Sequence, residues 1–349
     1  DNIFVFDSPA RDLADSTSSA KPRSLRGVRL GCIDASTKRS DSCGCGRERA
    51  FAAGGSENEG IACCASGGDE TSTMSHPSIA SAGTLSATWV GHSTVLIQLG
   101  ALNVLTDPIW SRRASPLRWI GPRRLVPAAV AFDALPPIDL VLISHHHYDH
   151  LDAPTVRALA THHPGAHWIV PLNLDALVRR WGARTVTALD WWDVTDAAGL
   201  RIACTPAQHF SARGLTDRRR TLWCGYTLRG GTRSVYFAGD TAYHPEFAAI
   251  ARRHGPFDLC LIPIGAYEPR WFMQSVHMNP DDAIRAYTDL VAVHPSAEPP
   301  AALGIHWGTF RLTDEPMDEP PRRTRDRWRA AGLDDGKLWI LAHGETRRA

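Results

Sequence analysis

The residues best suited to chemistry are His145-His146-His147-Tyr148-Asp149-His150, with four imidazoles and a carboxylate in six positions. They follow directly on Asp139-Leu140-Val141-Leu142-Ile143-Ser144, an apolar run that reads as a strand covered on both faces. In extended backbone, residues two apart share a face, so His145 and His147 point together and His146 points away. Where the chain then turns, Asp149 and His150 reach a second, neighbouring point. Imidazole and carboxylate at this density suit two Zn²⁺ ions, with Fe or Mn as alternative occupants. Two such ions ~3.5–4 Å apart can hold a bridging hydroxide at neutral pH, because a metal-bound water titrates near ~7.

A binuclear site needs more ligands, and these are expected at other strand ends. His209 ends Thr205-Pro206-Ala207-Gln208, Asp240 ends Val235-Tyr236-Phe237-Ala238-Gly239, and His306 ends Ala302-Leu303-Gly304-Ile305. Asp240 follows a glycine, which lets the backbone approach closely, and a carboxylate there can bridge two cations. Asp107 ends the strand Asn103-Val104-Leu105-Thr106 and is expected to accept a hydrogen bond from a metal-bound histidine. His92 reads as structural. His244 and His343 are among the histidines expected to be surface or packing residues.

The elements that position these residues begin near residue 85. Strands are expected at 88–90, 93–99, 103–106, 139–144 and 168–170, and later near 200–205, 222–228, 234–238, 258–263, 301–305 and 338–341. Helices are expected at 155–160 (with Asp152 as N-cap), 174–181, 246–253, 280–292 and 322–331. Strands come first in a meander and then alternate with helices. This pattern predicts an α/β chain with two sheets packed face to face and helices outside.

Residues 1–84 differ in composition. All 12 tryptophans and all 6 tyrosines of the 349-residue chain lie beyond them. The segment is rich in Ser and Gly, without sustained periodicity, and is expected to be a disordered or non-native extension, with Met74 as the natural start. Cys32, Cys43, Cys45, Cys63 and Cys64 lie in it at C-x-C and C-C spacings that do not suit zinc. Cys204, Cys224 and Cys260 stand in apolar runs and are expected to be buried thiols. With 38 Lys plus Arg against 37 Asp plus Glu, the formal net charge is +1, which argues against nucleic acid as a partner. No apolar stretch reaches membrane-span length, and no targeting signal is seen, so a cytoplasmic location is the expectation.

The H-x-H-x-D-H motif, followed by a lone His, an Asp and a lone His on strand ends, resembles the metallo-β-lactamase-fold hydrolases. The resemblance covers about residues 85–349 and implies an αββα sandwich. It implies that His145, His147 and His209 hold one metal, that Asp149, His150 and His306 hold the other, and that Asp240 bridges them. Gly265-Ala266-Tyr267-Glu268-Pro269-Arg270-Trp271-Phe272-Met273, with the later His277, is similar to the N-acylphosphatidylethanolamine-hydrolysing phospholipase D branch. That resemblance implies a phospholipid substrate, attack of the bridging hydroxide on phosphorus, and a homodimer with a lipid groove. Residues 1–84 do not resemble the region that builds the groove in the mammalian members. By the same resemblance Asp149 and His277 are catalytic candidates, and Gln274, Tyr267 and Trp271 are substrate-binding candidates. The branch places Gln directly before His, whereas Gln274-Ser275-Val276-His277 separates them here. Glu268 and Arg270 are expected to form an ion pair.

Trp110, Trp119, Ile120 and Leu125 alternate with Arg112, Arg113, Arg118, Arg123 and Arg124, a mixture that suits peripheral contact with an anionic membrane. Three function classes follow: a phosphodiesterase of phospholipase D type, a metal-dependent lactonase or acyl hydrolase, and a non-catalytic metal-binding relative. The Gly265–Met273 block favours the first.

Overall fold

The computed structural model describes residues 83–214 and 216–349. The expectations for residues 1–84, including the five cysteines, lie outside the described residues save for Gly83 and Thr84. The first half of the fold runs β1 (Leu85–Gly91), β2 (Thr94–Leu99), β3 (Leu102–Thr106), β4 (Leu140–Leu142), α1 (Ala153–His162), β5 (His167–Pro171), α2 (Asp175–Arg180) and β6 (Thr185–Leu189). The second half begins with β7 (Val194–Ala197), β8 (Leu200–Thr205), β9 (Gly225–Gly230), β10 (Arg233–Phe237), α3 (Glu246–His254) and β11 (Leu259–Pro263). It continues with the single turn α4 (Arg270–Met273), α5 (Pro280–Ala292), β12 (Ala301–Ile305), α6 (Glu319–Ala330), β13 (Leu338–Trp339) and β14 (Thr346–Arg348).

The strands form two seven-stranded sheets, ordered β14-β1-β2-β3-β4-β5-β6 and β13-β12-β11-β10-β9-β8-β7. In the first, β1 to β3 pair antiparallel and β3 to β6 parallel. In the second, β7 to β10 pair antiparallel and β10 to β13 parallel. The second half thus repeats the topology of the first, although no repeat is visible in the residues.

The alternation of side chains along each strand explains the layers. Leu85, Ala87 and Trp89 of β1 and Val95 and Ile97 of β2 face inward, against Ile202, Tyr226, Phe237 and Leu261 of the other sheet. The opposite face of the first sheet presents Leu96, Leu105 and Val141 to Val156 and Leu159 of α1 and Val178 of α2. The opposite face of the second presents Tyr236, Cys260 and Ile262 to Phe247, Ile284 and Trp328 of α3, α5 and α6. Helix, sheet, sheet and helix are therefore stacked around two faces of each sheet. Each fully buried aliphatic or aromatic side chain contributes roughly 1.5–3 kcal/mol, so these interior faces dominate the stability of the sandwich. Cys204, Cys224 and Cys260 are free and buried.

Three differences from the sequence reading have local causes. β6, β7 and β14 are short and partly polar, and each lies at a sheet edge or carries exposed residues, so their alternation is weak. α6 begins at Glu319 because Pro320 and Pro321 occupy its first turn, where a missing N–H costs no helical bond. Asp152 stands at the N-cap of α1, but its carboxylate binds Ser111 and the Thr155 hydroxyl instead of capping the helix.

Candidate metal centre

The strand ends converge on one edge of the sandwich. β4 gives way at Ser144 to the turn that carries His145 to His150, and the N–H groups of His150 and Leu151 close it on the His147 carbonyl at 3.2 and 2.9 Å. His209 follows β8, Asp240 follows β10 and His306 follows β12. Gly239 takes φ +62°, and a Cβ there would meet the Cys224 carbonyl at 2.6 Å, so only glycine delivers Asp240 at this point. His92, Asp107 and His306 are non-glycine residues with positive φ (56°, 33° and 63°). Backbone held in this sparsely populated region is concentrated where function needs a fixed geometry.

Two groups of donor atoms meet here. In the first, His147 Nδ1 lies 2.8 Å from His145 Nε2 and 3.2 Å from His209 Nε2. Outer hydrogen bonds fix two of these rings: His145 Nδ1 is 2.9 Å from Ser144 Oγ, and His209 Nδ1 is 2.9 Å from the Val276 carbonyl. In the second group, Asp149 Oδ2 is 3.3 Å from His150 Nε2 and 3.5 Å from His306 Nε2. Asp240 Oδ2 sits between the groups, 3.0 and 3.1 Å from His150 and His306 Nε2 and 3.9 Å from both His145 and His209 Nε2. The structure therefore brings together all seven side chains that the sequence pattern singled out.

The donor set fits a pair of cations. His150 Nε2, His306 Nε2 and Asp240 Oδ1 are buried without a hydrogen-bond partner, although carboxylate oxygens stand close to both nitrogens. Close polar atoms that are not aligned to bond one another share a centre that a cation can fill. The charges agree. Burial drives the His145 imidazole far down and takes His147 to about 3, with neighbouring imidazoles adding to both effects, so these rings are neutral, as metal ligands must be. Burial opposes charge on His150 and His306, yet Asp240 and Asp149 beside them outweigh it and push His306 up to about 9 and His150 well above the imidazole range, so protons hold the positive charge that a cation would supply on displacing them. Burial would raise Asp149 and Asp240, but His150 and His306 hold both well below the usual carboxylate range.

Asp107 organises this centre from beneath. It is fully buried; its Oδ2 lies 2.7 Å from His150 Nδ1 and accepts from Ser144 Oγ at 2.5 Å, and its Oδ1 accepts from Ser144 N–H at 2.7 Å. His146 turns away, with Nδ1 2.6 Å from Ser211 Oγ.

His92 is the residue that sequence reasoning missed. Its Nε2 is 2.9 Å from Asp149 Oδ2, and its ring lies 4.1 Å from that of His306. It too follows a strand end, after Gly91 of β1, and the rule applied to His209 and His306 would have marked it.

His277 reaches the centre from the segment after α4. Its Nε2 is 4.0 Å from Asp240 Oδ2, and its Nδ1 has no hydrogen-bond partner. Arg270 holds its carbonyl at 2.8 Å and pairs with Asp282 of α5, not with Glu268 as expected; Glu268 instead accepts from the Arg270 backbone N–H. The N-cap Asn279, which accepts from Asp282 N–H at 2.9 Å, starts α5 just beyond. Tyr267 corrects another expectation. It is fully buried and its hydroxyl donates to Glu319 at 2.9 Å, so it shapes the wall and offers no surface to substrate. Trp271 and Phe272 are 78% and 62% exposed, and Gln274 is exposed on the same turn. Trp110, expected at a membrane surface, is tucked in with its indole N–H on the Val130 carbonyl at 2.9 Å.

Residues 102–307 match the family described as the Beta-lactamase superfamily domain. The chain is 40% identical over 275 residues to the N-acyl-phosphatidylethanolamine-hydrolyzing phospholipase D 1 of Caenorhabditis elegans, covering 73% of this chain and 75% of that one. It is 32% identical to the mitochondrial N-acyl-phosphatidylethanolamine-hydrolyzing phospholipase D of Saccharomyces cerevisiae, covering 68% of this chain but only 50% of the yeast protein. A metallo hydrolase from Ignicoccus hospitalis shares the fold with a TM-score of 0.55 at 22% identity, over 76% of this chain and 98% of that one. The chain belongs to the metallo-β-lactamase-fold hydrolases, metal-dependent enzymes, and within them to the branch that contains the N-acylphosphatidylethanolamine-hydrolysing phospholipase D relatives.

Proposed function

We propose that this protein is a two-metal phosphodiesterase of phospholipase D type, acting on N-acylphosphatidylethanolamine or related glycerophosphodiesters, with zinc as its metal and Fe or Mn as alternatives. One observation carries the reading: Asp240 Oδ2 stands between two complete donor sets. Two cations bound there would supply a nucleophilic water at neutral pH and neutralise charge on the phosphoryl oxygens. The nematode relative supports phosphorus over carbon as the atom attacked, and the Gly265–Met273 block that resembles that branch folds against this site. Gly265 packs so closely that a Cβ would meet the His306 carbonyl at 2.4 Å.

The chain's own residues have distinct tasks in this reading. Asp149 is oriented by His92, and His150 by Asp107. Burial keeps His277 neutral, despite Asp240 nearby. A neutral imidazole carries one N–H, which His277 directs at a phosphoryl or leaving-group oxygen above Asp240. In hydrolysis the oxygen of one water bonds to phosphorus as the bond to the N-acylethanolamine oxygen breaks; phosphatidic acid is left, and the departing oxygen takes up a proton that the water gives.

The test is a hydrolysis screen of metal-loaded protein against N-acylphosphatidylethanolamine, bis-p-nitrophenyl phosphate and acyl lactones, with Asp149→Asn as the blank. The expected result is turnover of the phosphodiesters, lost in the variant. Turnover of lactones alone would assign an acyl hydrolase instead.

A further inference from the structure

A separate cavity of about 730 Å³ lies between the loop that follows β3 and the start of α1. Tyr148, which stands between His147 and Asp149 in the ligand turn, forms one side of it. Five arginines, Arg112, Arg113, Arg118, Arg157 and Arg213, stand in its lining among apolar residues such as Trp110, Leu117 and Pro154. The lining's one carboxylate, Asp152, is already engaged, accepting from Ser111 Oγ at 2.8 Å and Thr155 Oγ1 at 2.5 Å. Among the described residues, none of the five arginines belongs to an ion pair.

Two of the five are fixed. Arg213 lies 3.9 Å over the Tyr148 ring and donates to the carbonyls of His146 at 3.0 Å and Leu151 at 2.6 Å. Arg113 donates to the Gly121 carbonyl at 2.6 Å. Arg112, Arg118 and Arg157 are exposed along the wall. Like charges gathered in one concavity repel each other and attract a counter-anion. Guanidinium forks match phosphate oxygens in pairs, and the volume exceeds what a bare phosphate fills, lying in the range of organic-ligand sites.

We infer that this arginine-lined cavity binds the phosphate of an organic phosphate ester beside the metal centre. The phosphate has two sources that the test separates: a soluble phosphate ester, or the headgroup of a neighbouring membrane lipid. Neither source rests on the proposed function, and nor does the binding site.

The test is isothermal titration of the metal-loaded full chain with glycerol 3-phosphate, using wild type, Arg112→Ala/Arg118→Ala and Asp149→Asn. The arginine variant is expected to bind at least roughly tenfold more weakly, which is about 1.4 kcal/mol. Asp149→Asn is expected to keep the arginine-dependent binding event, because its change lies at the metals. Both arginines are exposed, and an unchanged melting temperature checks the fold; Arg157→Ala provides an independent second variant. Co-sedimentation with phosphatidylcholine vesicles containing phosphatidic acid separates the sources. A fall in vesicle binding in the arginine variant assigns the phosphate to a lipid, and a fall confined to glycerol 3-phosphate assigns it to a soluble ester. Unchanged affinity of the arginine variants for both probes, or loss of glycerol 3-phosphate binding in Asp149→Asn alone, overturns the inference.

Discussion

His92 and Asp107 act through the residues they hold. An imidazole on Asp149 Oδ2 at 2.9 Å fixes which carboxylate oxygen faces the centre, and Asp107 does the same for the tautomer of His150. Partners that orient metal ligands in this way typically change affinity by roughly 10–100-fold when removed. His92→Ala is therefore expected to weaken binding of one of the two metals by that factor, leaving the fold intact. Competition against a graded series of chelators would measure it, and an unchanged second dissociation constant would remove His92 from the site. The ligands themselves were legible in the sequence because H-x-H-x-D-H is local and follows an apolar run. His92 satisfies the same strand-end rule, but it stands 57 positions before Asp149, and only the fold joins the two. Tyr267 was misread because its neighbours resemble a substrate wall, while its hydroxyl is satisfied by Glu319, 52 residues away in the chain.

At the scale of elements, the strand ends set the site and the helices hold the sheets in place. The α/β order was legible because β4, β11 and β12 are continuous apolar runs and β10 ends in one; the edge strands β7 and β14 were not, because polar residues break their alternation. The start of α3 carries its own test. His244 is buried just before it, stacked 4.3 Å from Phe247, and burial lowers its imidazole from 6.5 to about 3. As pH falls below 6.5, the unfolded chain binds this proton and the folded chain does not, so stability is lost progressively down to about pH 3. At pH 5 the loss from this one group is about 2 kcal/mol relative to pH 7. His244→Leu is expected to flatten the pH dependence of the unfolding free energy by that amount in denaturant titrations at pH 7 and pH 5. An identical slope in both proteins would show that His244 titrates normally.

For the molecule as a whole, the two sheets contribute unequally but jointly. The first supplies His145 to His150, and the second supplies His209, Asp240 and His306, so neither donor set is complete until the sandwich has closed. No helix among the described residues is long and apolar enough to cross a membrane. Apart from Val194 on β7, the exposed large apolar side chains among the described residues are gathered at two places, Leu117, Trp119, Ile120 and Leu125 in the arginine-rich loop and Trp271 and Phe272 on α4. Trp119 is 74% exposed and Trp271 78%, and peripheral contact with an anionic membrane is the role proposed for the loop that carries Trp119. Trp119→Ser/Ile120→Ser is expected to reduce flotation with anionic vesicles several-fold, and equal flotation would leave the loop without a lipid role. The account depends most on Asp240 joining two metals. Elemental analysis of zinc-reconstituted protein, wild type beside Asp240→Ala, tests this directly. The account predicts two metals per wild-type chain and no more than one tightly held in the variant; a wild type without bound metal, or a variant that still holds two, would contradict it.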